Sequence, residues 1–196
     1  GELLDCPRRW FLSHRLGASG TMSAKAQAGS LVHRIAEENA EHWSLDRAMD
    51  QLDAEWATIS FDYEWESRAV LENCREGLRR LDGWLMQSSH RELVGTEVPV
   101  THVFDLPSAV VHISGSIDRL ERDEAGNHIV IDYKTGTKLP GKMNPHVIQV
   151  AIYQAALAEG DENRRPVDVG PAELVYLMDE PHKRGRGATV KPGSPV

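Results

Sequence analysis

The apolar residues of this chain change their spacing once, near Leu93, and that change constrains the fold more than any composition figure. Before it they recur at helical spacing. Leu31, Val32, Ile35 and Ala36 share one face of a run from Gly29 to about Trp43, and Ser44 caps a second run through Leu45, Ala48, Leu52 and Trp56. Val70, Cys74, Leu78, Leu81 and Leu85 form a third stripe between Glu64 and Met86. After Leu93 the period falls to two, which predicts strands over 94–104 (interrupted by Pro99), 110–121 and 127–134, with turns at 105–108 and 123–126. Asn144-Pro145 opens a helix running to about Glu159, and a short strand over 172–178 follows.

With 196 residues, 40% of them hydrophobic, the chain can bury a real core. We expect a helical part over 1–92, a core over 93–180 and a basic Gly/Pro-rich tail or linker over 181–196. A first residue other than Met and that tail suggest a domain of something longer. The net charge is −8, and residues 26–92 alone hold 14 acids and 7 arginines without a lysine, a balance of −7. Such a surface argues against a free-standing nucleic-acid binder, which usually carries a basic face. The acids fall mainly on outer helix faces and read as solvated surface. Cys6 and Cys74 are too few for a disulfide framework, and Cys74 sits where a small core residue would. No apolar run approaches the ~20 residues of a membrane span, so a soluble protein with no membrane partner is expected.

One strand ends in IVIDYKTG, residues 129–136. In an extended chain Ile129, Ile131 and Tyr133 point one way and Val130, Asp132 and Lys134 the other, so acid and amine share a face at the strand's open end. Alone, such a pair is more often a surface ion pair, worth ~0–1 kcal/mol. In the preceding strand His112, Ser114, Ser116 and Asp118 share a face. If the two strands form an antiparallel hairpin, Asp118 meets Asp132. Carboxylates so placed repel, and a shared proton or a cation relieves them. A hard cation such as Mg2+ suits oxygen ligands.

ISGSIDRLE followed by IVIDYKTG resembles the two acidic motifs, G-x-x-D-R and D-x-K-T-G, of the RecB-like branch of the PD-(D/E)XK nuclease superfamily. Three more segments are similar to that branch, in its order: LLDCPRRWFLSHRLG at 3–17, GSLVHRIAEE at 29–38 and QVAIY at 149–153. The resemblance implies an α/β restriction-endonuclease-like core with a mixed sheet, roughly three antiparallel strands, a helix and a returning strand, beneath an N-terminal helical layer. It also implies that His33, Asp118, Asp132 and the Tyr133 carbonyl bind Mg2+ or Mn2+, that Lys134 orients water or stabilises the phosphate, and that Gln149 and Tyr153 support the site or meet DNA.

Each residue has a plainer alternative. His33 could be a hydrogen-bonded core histidine, and Tyr153 could be ordinary helix–sheet packing. Glu37, one turn after His33, could orient its imidazole or lie on the surface, and Glu97 could add a further carboxylate. Branch members of helicase complexes often hold an iron–sulfur cluster on four cysteines; here Cys6 alone matches, and no cluster is expected in this chain. The function implied is a metal-dependent, exonucleolytic deoxyribonuclease acting on single-stranded DNA as a module of a bacterial helicase–nuclease in double-strand break repair, cytoplasmic and nucleoid-associated. A nuclease-like DNA-end guide with little cleavage is the alternative.

Overall fold

In a computed structural model, residues 22–136, 145–160, 165–178 and 188–190 are described. The cysteine-proline segment at 3–17 and the basic residues Lys183, Arg184, Arg186 and Lys191 of the tail lie outside them.

Three helices come first: α1 (Ala24–Glu38), α2 (Leu45–Trp56) and α3 (Glu64–Gln87). The Ser23 hydroxyl accepts the Ala26 N–H and starts α1 five residues earlier than the apolar spacing suggests; Asn39 ends it. Ser44 caps α2 by accepting the Arg47 N–H. Five strands form one mixed sheet in the order β1 (Glu92–Leu106), β2 (Ala109–Arg122), β3 (His128–Lys134), β4 (Ala172–Tyr176) and β5 (Ala188–Val190). Strands β1, β2 and β3 are antiparallel neighbours. Helix α4 (Pro145–Glu159) then carries the chain across, and β4 returns parallel to β3. Within the stretch expected as a tail, residues 188–190 pair antiparallel with β4.

The sheet is covered on both faces. Leu31, Val32 and Ile35 of α1, Leu52 of α2 and Cys74, Leu78 and Leu81 of α3 pack with Ile129, Ile131 and Tyr133 of β3. On the opposite face Val150, Tyr153, Ala156 and Leu157 of α4 pack on Val100, Ile117, Leu120, Val130 and Leu174. Buried Cys74 is part of the first core, where burial pushes its thiol up to about 12, so it stays protonated and apolar. Pro99 lies in β1, at the edge of the sheet, where proline's missing N–H is tolerated.

Charge is also buried beneath the sheet. The Arg119 Nε donates to Glu121 Oε1 at 2.6 Å, Arg91 donates to Glu173 Oε1 at 2.7 Å, and the Trp84 indole donates to Glu173 Oε2 at 3.1 Å. Arg91 also lies 3.5 Å from Glu121, joining the two pairs. Arg119 and Glu121 are nearly inaccessible, so each needs the other to offset the cost of leaving water.

Candidate active site

The hairpin register places the two acids together. The β2–β3 ladder ends at Arg119–Ile131, and Asp118 and Asp132 stand one step beyond it. Asp118 Oδ2 accepts the main-chain N–H of Tyr133 at 2.7 Å, which ties the acid of β2 to the end of β3. Asp132 is 3% exposed, so its pair with Lys134 is not the surface ion pair that two isolated residues would suggest. The Lys134 ammonium lies 2.7 Å from Asp132 Oδ2, a close charge pair held inside the protein.

Helix α1 delivers His33, whose Nδ1 stands 3.5 Å from Asp118 Oδ2 and whose ring meets Tyr133 edge-on at 6.2 Å. Gly29, one turn earlier, makes this approach possible: a Cβ there would come within 2.6 Å of Thr135 Oγ1. The G-x-x-x-H spacing therefore pairs a close-approach point with the side chain it brings in. Between α1, β1 and the end of β3 runs a cleft of about 400 Å3, lined by Gly29, His33, Arg34, Glu37, Glu97 and Thr135 among others. Glu97 has φ of 44°, in the left-handed region that a glutamate in a strand rarely adopts, and its charge reaches both His33 and Asp118.

From the other face α4 supplies Gln149 and Tyr153. The Lys134 Nζ donates to Gln149 Oε1 at 3.2 Å, and Gln149 Nε2 donates to the Tyr153 hydroxyl at 3.3 Å. Tyr153 lies over Gly115, where a Cβ would come within 2.4 Å of the phenol oxygen. The glycine of G-x-x-D-R is thus the seat of the tyrosine of Q-x-x-x-Y. Tyr153 does pack between helix and sheet, yet its hydroxyl also closes a chain of hydrogen bonds that ends on Lys134.

Electrostatics follow from burial. Loss of solvent pushes Asp118 up to about 6 against the pull of the Tyr133 N–H and Lys134. Burial, and then the neighbouring Asp118 charge, push Asp132 up to about 6 as well. Burial holds His33 below its ordinary value although Asp132 pulls it up, which leaves a neutral imidazole near pH 7. The carboxyls are therefore poised to exchange protons for a cation.

The structure brings His33, Asp118, Asp132, Tyr133, Lys134, Gln149 and Tyr153 into one place, and Glu37 and Glu97 line the same cleft. Sequence reasoning missed His146, on the first turn of α4. Burial lowers its pKa and the Lys134 charge lowers it further, so it lies within electrostatic reach of the lysine. Its signal was a histidine three residues before Gln149 on the same helix. Gly29, Thr135 and Gly115 were legible as motif letters, but their spacing did not reveal what they make room for.

A divalent metal is a test of this site. Among the described residues no three His, Cys, Asp or Glu side chains stand together as a ready cage. The donor set fits a hard cation nonetheless: the Asp132 carboxylate is buried, the Asp118 charge beside it raises its pKa, and the His33 ring is neutral near pH 7.

A mixed sheet sandwiched between helices, with two acids and a lysine at the end of adjacent strands, defines an α/β fold with an acid–lysine site at its strand ends. The chain belongs to the PD-(D/E)XK nuclease superfamily, whose model matches residues 2–194. Members of that superfamily are generally nucleases that use Mg2+ or a similar divalent metal and act on DNA. Among solved structures, the crystal structure of SSO0001 is similar at TM-score 0.40 and 18% identity, over 98% of this chain and 79% of that one. The crystal structure of protein VC1899 from Vibrio cholerae is similar at TM-score 0.29 and 12% identity, over 81% of this chain and 48% of that one. No curated protein matches the chain. No described helix is long and apolar enough to cross a membrane.

Proposed function

We propose that the chain is a Mg2+- or Mn2+-dependent deoxyribonuclease that hydrolyses phosphodiester bonds of single-stranded DNA from an end, as the nuclease module of a RecB-like helicase–nuclease acting in double-strand break repair. The observation that carries the reading is the buried Asp132 carboxylate held between Asp118 and Lys134. Lys134 offsets only part of the cost of burying two neighbouring carboxylates, and a bound cation would offset the rest.

His33, Asp118, Asp132 and the Tyr133 carbonyl would hold the metal, which supplies Lewis-acid polarisation of the phosphate and a more acidic water. The protein's own groups do the rest. Gln149, fixed by Tyr153, holds the Lys134 ammonium at the strand end, so its charge offsets what develops on the phosphate oxygens without reorganisation. The Tyr133 N–H holds the Asp118 carboxylate toward the site. The acidic outer surface suits a module to which a motor delivers the strand, because tethering replaces long-range capture.

Incubation of end-labelled single-stranded DNA with the purified chain and Mn2+ should release short products, and EDTA should abolish the release. Protein that binds Mn2+ yet leaves DNA intact, even when joined to its motor, would replace this reading with that of a DNA-end guide.

A further inference from the structure

Beside Gln149 lies an apolar recess of about 260 Å3 whose aliphatic walls the cleavage chemistry does not use. Ile113 of β2, Ile148 and Ile152 of α4, and Pro145 form its walls, and Ser114, Gln149 and Tyr153 are its polar members. Two contacts fix where it opens. Gln149 belongs both to the recess and to the site, since its Oε1 accepts the Lys134 ammonium at 3.2 Å. Tyr153 is held by Gln149 and seated over Gly115, whose missing side chain leaves room for the phenol. One side chain therefore separates the recess from the lysine assigned to the phosphate.

We infer that this recess receives the base of a nucleotide flanking the scissile phosphate, turned out of its stack, and so makes the site selective for unpaired strands; the inference rests on the nuclease reading above. Small-molecule pockets commonly span about 300–1,000 Å3, and a recess of about 260 Å3 lies just below that range, the scale of a single ring system. Among the described residues the walls are aliphatic with one tyrosine, and no described lysine or arginine lines them, so they suit the flat face of a base better than a second phosphate. The polar members are few and partly engaged with one another, which favours recognition by shape over reading of base identity. A base in a duplex could enter only by leaving its partner, at the cost of unpairing and unstacking, whereas a single strand bears little of that cost. A nucleotide whose phosphate meets Lys134 has its own base within reach of a recess one residue away.

The test is a scan of single abasic residues along an end-labelled single-stranded oligonucleotide, cut by the wild-type chain with Mn2+. An abasic residue at one position beside the cleaved bond should lower kcat/KM about 10- to 100-fold, with little effect elsewhere. Ile113→Trp fills the recess; it should lower kcat/KM on the intact strand to the abasic level and leave Mn2+ affinity by calorimetric titration unchanged. A flat abasic profile, or an Ile113→Trp chain that is folded by circular dichroism and cuts the intact strand like wild type, overturns the inference while leaving the nuclease reading in place. If wild type does not cleave the strand, the nuclease reading fails, and the same oligonucleotides are read by fluorescence anisotropy. Affinity that depends on one base position and is lost in Ile113→Trp then keeps the recess as a base site, and affinity without that dependence removes it. Binding of an apolar peptide side chain in place of a base would show as the same flat abasic profile.

Discussion

At the scale of single residues, Asp132 and Lys134 share a face and a 2.7 Å contact but should fail in different ways. Asp132→Ala removes a carboxylate from the donor set, so Mn2+ affinity by calorimetric titration and cleavage should fall together. Lys134→Ala removes positive charge but no oxygen ligand. Its Mn2+ affinity should persist or tighten, while cleavage drops roughly 10²–10³-fold, as for loss of one electrostatic stabiliser. An unchanged rate in a folded Lys134→Ala chain would sink the mechanism. The pH dependence has a worked sign as well. Asp118 and Asp132 titrate near 6 when folded, above the 3.8 of an exposed aspartate, so the folded chain binds more protons than the unfolded one between those values. Metal-free protein should therefore gain stability from these groups as pH falls from 7 toward 4, and an Asp118→Asn, Asp132→Asn double variant should lose that gain. Mn2+ must displace the same protons, so its affinity should decline below about pH 6. Thermal melts with and without Mn2+ across that range check both signs.

At the scale of elements, the site depends on how closely α1 can approach the end of β3. In an ordinary helix interior Gly→Ala gains about 1 kcal/mol. At Gly29 the new Cβ would stand 2.6 Å from Thr135 Oγ1 and 3.4 Å from its Cβ, so the helix must shift and carry His33 with it. Gly29→Ala should weaken Mn2+ binding and cleavage more than it lowers the melting temperature. Thr135→Ala, which removes the clashing hydroxyl, should restore much of the loss in the double variant. A double-mutant cycle on cleavage with no coupling between the two positions would show that helix approach does not set the site. The buried Arg119–Glu121 and Arg91–Glu173 pairs belong to the same scale. The Arg119–Glu121 pair lies close enough to Tyr133 for both charges to act on its phenol. The arginine of D-R is thus part of the support beneath the site.

For the whole molecule, charge and layout separate capture from chemistry. The excess acid lies on α1–α3, where ion pairs such as Arg75–Asp53 at 2.8 Å and Lys25–Glu66 at 3.1 Å offset part of it. Such exposed pairs contribute little each, typically under ~1 kcal/mol. If the described site with Lys134 makes the phosphate contacts, binding of single-stranded DNA by the isolated chain should release few counterions. We expect a slope of log Kobs against log salt of about −0.7 to −1.4, corresponding to one or two phosphates, in anisotropy titrations between roughly 50 and 200 mM salt. A slope several times steeper would reveal a basic DNA path outside the site described here and would remove the case for delivery by a motor.

Local sequence determined the elements of this protein because their causes are local. The period of apolar residues placed α2, α3, β1–β3 and α4 close to their observed bounds, and the alternation in IVIDYKTG put Asp132 and Lys134 on one face, as strand geometry requires. Motif spacing also named the residues that the structure brings together. Tertiary packing decided the rest. That Asp132 is buried and not a surface partner of Lys134 follows from α4 covering that face of the sheet. That β4 runs parallel to β3, that Gly29 and Gly115 exist to let Thr135 and Tyr153 approach, and that Arg91 reaches Glu173 are contacts between segments far apart in the chain. Carboxyls near 6 arise only when those segments exclude water together, because desolvation belongs to the assembled site and to no residue in it.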